Sequence, residues 1–205
     1  MNNRLTSQDF ARITDVSRET LQKLELYAQL VTKWQSSIGL VGKSTIPDLW
    51  RRHMLDSAQL IRHASKKSDA WLDLGSGAGF PGMVVSLLGA TEVHLVESNQ
   101  RKCEFLQEVK RQTDAPVAIH NVRVEALELS PVDVVTARAL APLTELLTLA
   151  HPFMSSDTQC LFLKGQHVAD ELTDAAIYWN MSAERITSMS DHRGTIVRLT
   201  EVSHV

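Results

Sequence analysis

A short apolar segment with one acid, Asp73, leads into a glycine-rich loop in the sequence WLDLGSGAGFPG at residues 71–82. The glycines are Gly75, Gly77, Gly79 and Gly82. Glycine permits unusual φ angles and lets a ligand touch the backbone, and four of them exceed what a simple strand-to-helix turn needs. In open α/β sheets, ligands bind at the carboxyl ends of strands. The loop is therefore predicted to bind a cofactor.

Two kinds of cofactor compete for this loop. Residues 77–82 match the pattern G-x-G-x-x-G, and Glu97 follows about 20 residues later, where a dinucleotide-binding fold has its ribose-binding acid. Against a dinucleotide, Pro81 removes one N–H donor that a pyrophosphate would use, and Asp73 adds a negative charge beside the loop. S-adenosylmethionine has no phosphate and carries an ammonium and a sulfonium, which nearby carboxylates favour. We expect S-adenosylmethionine, with Glu97 on its ribose hydroxyls and Asp73, Gly75, Gly77 and Gly79 around it.

The elements that must position this loop follow from the periodicity of apolar residues. Residues 17–37 have helical spacing, and Pro47 suits the first turn of a second helix at 47–64. The predicted strands cover residues 70–74, 93–98, 117–122, 133–138 and 160–165. Helices are predicted from about 81 to 89 and at 100–112, 142–151 and 167–177. Alternating strands and helices predict an α/β fold with a doubly wound, mostly parallel sheet, and residues 194–202 alternate like an antiparallel edge strand.

Composition fits one compact unit with two parts. Residues 1–67 are predicted to form an N-terminal helical extension packed on an α/β domain of residues 68–205, which would bind the cofactor. The chain has 205 residues, a net charge of −3 and no apolar run of membrane-spanning length. Its two cysteines, Cys103 and Cys160, are far apart, which favours reduced thiols and a cytoplasmic protein without a metal site.

Five segments, in this order along the chain, resemble one known family. They are RHMLDS (52–57), DLGSGAGFPG (73–82), RVEAL (123–127), ARALAPL (137–143) and LKG (163–165). Together they resemble the ribosomal small-subunit methyltransferase G family, also called glucose-inhibited division protein B, over about residues 27–197. The resemblance implies a class I methyltransferase (Rossmann-like) fold with a seven-stranded sheet. It also implies S-adenosylmethionine-dependent methylation of N7 of a guanine in 16S rRNA, near the decoding centre.

The resemblance carries specific expectations to this chain. Its implied cofactor contacts are Gly75, Phe80, Val124, Glu125 and Arg138, with Glu97 as the ribose acid. Its implied partner is 16S rRNA, within a small ribosomal subunit or an assembly intermediate, and a monomer is expected. One segment departs from the family pattern, since this chain has Gly-Leu-Val at residues 39–41 where relatives often have Asn-Leu-Thr. The asparagine of the family pattern is therefore replaced by Gly39 in this chain.

The chemistry of this reaction decides which side chains to look for. Guanine N7 has a lone pair and no proton, so no general base, catalytic triad or metal is expected. Catalysis would depend on alignment of the reacting atoms and on tolerance of a positive charge that moves onto the guanine. Arg138, at the end of the fourth predicted strand, is expected to orient the guanine. The alternative for Arg138 is a structural ion pair.

Three further candidates have open roles. Asp56 would stabilise the developing charge, or it would pair with Arg52 one helical turn away. His53 shares that helical face and is expected to pack or to contact RNA rather than to act as a base. Lys164, after the fifth predicted strand, would contact a phosphate or be a solvated loop lysine.

RNA contacts are expected at Arg51, Arg52, His53 and Arg123. The net charge of −3 gives no overall attraction to RNA, so a local basic surface and the ribosomal context would have to provide it. Other functions stay open: methylation of a small molecule or a protein, a nicotinamide-dependent oxidoreductase, and a non-catalytic assembly factor that binds the cofactor.

Overall fold

The computed structural model of the chain describes residues 4–64 and 70–205. Within them, one seven-stranded sheet has the order β3-β2-β1-β4-β5-β7-β6. The strands are β1 (Ala70–Leu74), β2 (Glu92–Val96), β3 (Val117–His120), β4 (Val134–Arg138), β5 (Gln159–Lys164), β6 (Trp179–Thr187) and β7 (Thr195–His204). Strands β1 to β5 are parallel. The predicted α/β fold class with a doubly wound, mostly parallel sheet is confirmed.

The C-terminal part of the sheet differs from the prediction. Strand β7 is antiparallel, as expected, but it lies between β5 and β6 rather than at the edge. The edge strand is β6, which the sequence did not reveal because its side chains are mostly exposed and mixed in polarity. Pairing with β6 makes β7 an inner strand, and the turn between them, residues 188–194, reaches the carboxyl end of β5.

Helices cover both faces of the sheet. They are α1 (Ser7–Thr14), α2 (Arg18–Ile38), α3 (Asp56–Ala58), α4 (Gly82–Leu87), α5 (Gln100–Thr113), α6 (Leu143–Ala150) and α7 (Val168–Ala175). Short 3₁₀ turns cover Val124–Ala126 and His151–Phe153. Helix α1 was not predicted; Thr6 and Asp9 form a capping box at its start. No helix within 4–64 and 70–205 has the length and apolarity to cross a membrane.

The second predicted helix, 47–64, is irregular. It consists of a 3₁₀ turn at Lys43–Asp48, a π-helical segment at Trp50–Leu55, the short α3, and a second 3₁₀ turn at Gln59–Arg62. Pro47 lies inside the first 3₁₀ turn rather than at a helix start. We call residues 43–62 the mixed helix. Segments of π-helix often mark functional sites, and this one carries His53 and Arg52.

The N-terminal helices share a hydrophobic core with the sheet. Helix α2 packs against α5, where Trp34 lies edge-on to Phe105 with ring centroids 5.8 Å apart. Leu24 and Tyr27 are fully buried in the cluster that also contains Leu106. The predicted boundary between residues 67 and 68 lies outside the described residues.

Candidate active site

The glycine loop joins β1 to α4 and is tied to Glu97 at the end of β2. Gly75 and Gly77 have φ angles of +64° and +58°, which side-chain-bearing residues rarely adopt. The Gly77 N–H donates to Glu97 Oε2 across 2.9 Å, and the Asn99 N–H donates to Glu97 Oε1 across 2.7 Å. Each carboxylate oxygen keeps further acceptor capacity, so Glu97 can still bind a hydroxyl group.

Asp73 lies on the buried side of this loop and holds it in place. Its carboxylate is buried and accepts hydrogen bonds from the Gly82 N–H at 3.1 Å and from Thr136 Oγ1 at 2.9 Å. Burial raises the pKa of Asp73 to about 6, although those hydrogen bonds act to lower this pKa. Asp73 does not line the cavity described below. In this structure Asp73 holds the loop, and its expected contact with the cofactor stays a prediction.

Gly79 is closely surrounded by side chains of the core. Its φ is +91°, and a Cβ there would lie 2.8 Å from Tyr27 Oη and 2.9 Å from Met83 Cβ. Tyr27 donates a hydrogen bond to the Ala78 carbonyl, and burial raises the pKa of Tyr27 well above the usual value. Gly79 is therefore required for packing between the loop and the N-terminal helices, and its expected contact with the cofactor stays a prediction.

A cavity of about 930 Å³ opens at the carboxyl ends of β1, β4 and β5. Its walls are the glycine loop, the start of the mixed helix with the preceding residues 40–42, the segments after β4 and β5, and the β6–β7 turn. This is the predicted position at the strand ends. Of the sequence-predicted site residues, the cavity is lined by Arg52, His53, Asp56, Gly75, Gly77, Phe80, Arg138 and Lys164.

Arg138 connects the sheet to the mixed helix. Its guanidinium donates to the Arg52 carbonyl at 3.1 Å and to His53 Nδ1 at 2.8 Å, and it lies 3.5 Å from Asp56 Oδ2. It also lies 5.2 Å from the ring centroid of Phe80. The ion pair that was considered as an alternative therefore exists, while the side chain still lines the cavity.

His53 is buried and fully engaged. Its Nδ1 accepts from Arg138, so Nε2 carries the proton and donates to Thr45 Oγ1 at 2.6 Å. Burial, followed by the charges of Arg138 and Arg52, lowers the pKa of His53 to about 3. The ring also lies 5.0 Å from that of Phe80. His53 therefore has the packing role that was one of its two expected roles, and its expected RNA contact stays a prediction.

Asp56 bonds to the β6–β7 turn instead of to Arg52. Its Oδ1 accepts from Ser190 Oγ at 2.5 Å and from Ser188 Oγ at 3.3 Å. Arg52 pairs instead with Asp191 across 2.6 Å. The alternative of an Arg52–Asp56 pair within one helix is therefore wrong, because the mixed helix directs both side chains to the turn.

The basic residues expected to contact RNA are in two places. Arg52 lies on the cavity rim, and the neighbouring Arg51 pairs with Asp48 at 3.4 Å. Arg123, with a side chain 76% exposed, lies after β3 and pairs with Glu125 at 3.6 Å. Arg123 is therefore outside the cavity wall, and its expected RNA contact stays a prediction.

Lys164 ends β5 rather than following it, and its side chain is paired at the cavity wall. Its Nζ donates to the Ala141 carbonyl and to Glu171 Oε2, both at 2.7 Å, and its side chain is buried. Glu171 Oε2 also accepts from the Leu143 N–H at 2.8 Å. Lys164 therefore holds the segment after β4 in place and is not a solvated loop lysine, and its expected phosphate contact stays a prediction.

Val124 and Glu125 form the 3₁₀ turn after β3. They do not line the cavity, although β3 lies next to the strand that ends before Glu97. The backbone hydrogen bond and Arg123 lower the pKa of Glu125. Their expected contact with an adenine stays a prediction.

Several residues of the site were not found from the sequence. They are Ser188, Ser190 and Asp191 on the β6–β7 turn, together with Gln59, Leu140 and Glu171. The turn could not be located because β6 was not predicted. The segment ARALAPL did mark the region of Leu140, but a role for this side chain required the cavity itself.

Comparison with known proteins identifies the family. A family model described as rRNA small subunit methyltransferase G matches residues 20–197. The chain is 54% identical over 188 residues to the ribosomal RNA small subunit methyltransferase G of Paramagnetospirillum magneticum, covering 92% of each protein. It is 52% identical over 198 residues to the protein of the same name from Rhodospirillum rubrum, covering 97% of this chain and 98% of that protein.

Solved structures share the fold at low identity. The ribosomal protein L11 methylase of Lactobacillus delbrueckii subsp. bulgaricus superposes with a TM-score of 0.60 and 17% identity, covering 71% of this chain and 76% of that one. A putative S-adenosyl-L-methionine-dependent methyltransferase of Methanococcus maripaludis gives 0.59 and 9%, covering 98% and 96%. The architecture is thus that of the class I methyltransferases, and, on its sequence, the chain belongs to the rRNA small subunit methyltransferase G family.

Proposed function

We propose that the protein transfers a methyl group from S-adenosylmethionine to N7 of a guanine in 16S rRNA, near the decoding centre. The observation that carries this proposal is the glycine loop, bonded through Gly77 to Glu97, at the mouth of a 930 Å³ cavity in a chain of this family. The position after β1 and β2 of a parallel sheet is where such folds bind a nucleoside.

The residues of the loop fit this cofactor. A Cβ on Gly77 would meet only the Gly75 carbonyl, at 3.8 Å, so the space above Gly77 is open to a ligand. We assign the ribose hydroxyls to Glu97 and the backbone contacts to Gly75 and Gly77. When bound, S-adenosylmethionine supplies a methyl group that its sulfonium makes electrophilic. The pair Asp73–Thr136 maintains the loop from the buried side.

The acceptor atom determines what the chain must contribute. Guanine N7 attacks with its own lone pair, so no side chain has to remove a proton. His53 is unsuited to that task in any case, because both of its ring nitrogens are engaged and its pKa is about 3. We assign Arg138 to guanine O6, which lies beside N7 and accepts hydrogen bonds. Asp56, 3.5 Å from Arg138, offsets part of its positive charge while the guanine becomes cationic.

The proposed substrate is 16S rRNA within the small subunit or an assembly intermediate, bound by a monomer of this protein in the cytoplasm. With a net charge of −3, the chain relies on local attraction. Arg52 on the cavity rim and the neighbouring Arg51 supply it beside the cavity. Because bases inside an RNA helix are hard to reach, the guanine must lie in a loop or be extruded into the cavity.

The decisive experiment maps 7-methylguanine in 16S rRNA by chemical strand cleavage. Small subunits from a strain that lacks the modification are incubated with the protein and labelled S-adenosylmethionine, and free 16S rRNA is treated in parallel. We expect one cleavage position near the decoding centre. Label on a small molecule or on ribosomal protein would contradict the proposal. Binding of S-adenosylhomocysteine without any methyl transfer would indicate a non-catalytic assembly factor instead.

Calorimetry tests the cofactor separately. S-adenosylhomocysteine is expected to bind, and a Glu97→Gln variant should bind it more weakly because an amide accepts hydroxyl hydrogen bonds less strongly than a carboxylate. NADH is the matched competitor, and binding of NADH but not of S-adenosylhomocysteine would refute the cofactor assignment.

A further inference from the structure

Leu140 is an exposed apolar side chain inside a cavity whose lining is otherwise rich in polar groups. It is 39% exposed, and among the exposed large apolar residues within 4–64 and 70–205 it alone lines this cavity. The apolar neighbours Phe80 and Leu163 are buried. One side of this leucine lies on Gly75, and its exposed surface borders the cavity, where a ligand can contact it.

The backbone that presents Leu140 is strained. Ala139 has a φ of +53°, in the left-handed region that residues with a side chain rarely adopt. Strain of this kind persists only where the surroundings enforce it, and it is concentrated at ligand-binding sites.

The surroundings of this segment do enforce it. On one side, Arg138 is fixed by the Arg52 carbonyl and by His53. On the other side, Lys164 holds the Ala141 carbonyl at 2.7 Å, and Glu171 accepts from the Leu143 N–H. The segment that carries Leu140 is thus fixed by hydrogen bonds on both sides and is not a loose loop.

The order of the strands indicates which ligand Leu140 meets. Among the neighbouring strands β2, β1 and β4, β2 ends just before Glu97, β1 ends at the glycine loop, and β4 ends two residues before Leu140. A cofactor with its ribose at Glu97 and the rest of the molecule along the glycine-loop backbone near Gly77 uses the ends of β2 and β1. The part of the cavity at the end of the next strand, β4, then remains for the acceptor. Leu140 marks this border, since a Cβ on Gly75 would lie 2.6 Å from Leu140 Cδ1.

We propose that Leu140 packs against the flat face of the acceptor guanine and thereby fixes the plane in which N7 approaches the methyl donor. The inference rests on the proposed function, because it concerns the acceptor of the same reaction. Extruded bases are commonly held between aromatic or apolar side chains. In this arrangement Arg138 binds the edge of the base and Leu140 its face.

The test compares Leu140→Ala with Leu140→Met and with Ile177→Ala, which removes an exposed apolar side chain outside the cavity wall. Steady-state methylation of unmodified small subunits gives kcat and KM, and calorimetry gives the Kd of S-adenosylhomocysteine. We expect Leu140→Ala to lower kcat/KM for the RNA about tenfold, on the scale of one lost apolar contact, with the Kd changed less than about twofold. Leu140→Met and Ile177→Ala should stay within about threefold of the wild type.

Two results would overturn the inference. An unchanged kcat/KM in Leu140→Ala would show that the side chain does not touch the acceptor. A Kd for S-adenosylhomocysteine that rises as much as kcat/KM falls would make Leu140 a cofactor contact. Leu140→Gln, which keeps the length but adds an amide, is expected to lose activity like the alanine variant, and its melting temperature checks that folding is intact. Failure of the wild type to methylate the RNA would refute the proposed function itself.

Discussion

The guanidinium of Arg138 donates a hydrogen bond to Nδ1 of His53 across 2.8 Å. This contact joins the end of β4 to the mixed helix and determines which ring nitrogen of His53 carries the proton. The Nε2–H then donates to Thr45, whose hydroxyl donates to the Gly42 carbonyl at 2.7 Å. A chain of hydrogen bonds therefore runs from the sheet to the segment that covers the cavity.

His53 should make the protein less stable in acid. Its pKa is about 3 in the folded protein and about 6.5 when unfolded, so the unfolded state binds more protons below pH 6.5. The stability contribution is complete above pH 6.5 and decreases as the pH falls towards 3. By pH 4.5 the loss is roughly 2–3 kcal/mol.

Urea unfolding at pH 7 and pH 4.5 measures this effect. The wild type is expected to lose more free energy of unfolding between the two pH values than His53→Gln does. Asp73, whose pKa is raised to about 6 by burial, acts in the opposite direction in both proteins, so it cancels in the comparison. His192→Gln, which removes a side chain 90% exposed, is the control and should behave like the wild type. Equal losses in the wild type and His53→Gln would disprove the neutral, buried imidazole.

Replacement of Arg138 should reduce methyl transfer more than stability. Arg138→Ala removes the donors to Arg52 and His53, and displacement of the mixed helix by about 1 Å is enough to lower kcat about 100-fold. We expect a loss of roughly 1–3 kcal/mol in the free energy of unfolding. Arg138→Lys should be intermediate, because an ammonium cannot reproduce the planar fork. Near-normal turnover of Arg138→Ala would remove Arg138 from the mechanism.

Gly79 should tolerate alanine much less well than Gly89. Both have positive φ angles, +91° and +108°, so both variants carry a conformational cost. At Gly89 a Cβ meets nothing within 4 Å, whereas at Gly79 it would lie within 3 Å of Tyr27, Leu106 and Met83. We expect Gly79→Ala to be less stable than Gly89→Ala by roughly 1–3 kcal/mol, the usual cost of overpacking. Chemical denaturation measures the difference, and similar losses would show that the loop yields instead of clashing.

The glycine loop and the parallel part of the sheet were predictable because local signals there agree with the fold. Buried strands give continuous apolar runs, and the segments that end at Leu74 and near Glu97 were identified within about two residues. The loop between them was placed correctly for the same reason. Chemical type alone, however, could not separate Glu97, next to the open loop, from Asp73, buried beneath it.

The mixed helix and the β6–β7 turn could not be predicted because long-range contacts determine them. Helical spacing suggested that Arg52 and Asp56 would pair with each other, but each bonds to the turn more than 130 residues away. Strand β6 has an exposed outer face and so lacks an apolar pattern. The partners of Asp56 therefore depend on a strand that only the folded sheet reveals.

Asp56 should stabilise the fold through that turn. Its carboxylate accepts from Ser188 and Ser190 and lies beside Arg138, and it is mostly shielded from solvent. Asp56→Asn replaces one acceptor oxygen by a donor and removes the charge that balances Arg138, so we expect a loss of about 1–3 kcal/mol in the free energy of unfolding. Glu184→Gln is the matched control, because its pair with Arg198 is exposed and should contribute less than about 1 kcal/mol.

A double-mutant cycle that combines Asp56→Asn with Ser190→Ala tests whether Asp56 and Ser190 stabilise the protein through their contact with each other. If Ser190 acts through Asp56, the double variant should lose less than the sum of the single losses, with a coupling of about 0.5–2 kcal/mol. Methylation assays on the same proteins add a functional readout. Ser190 lies on the β6–β7 turn and bonds to Asp56. If the turn positions the acceptor side of the cavity, Ser190→Ala should reduce kcat and leave the Kd for S-adenosylhomocysteine unchanged. Strictly additive losses would mean that Asp56 and Ser190 stabilise the protein independently, and that the turn is only packed against the site.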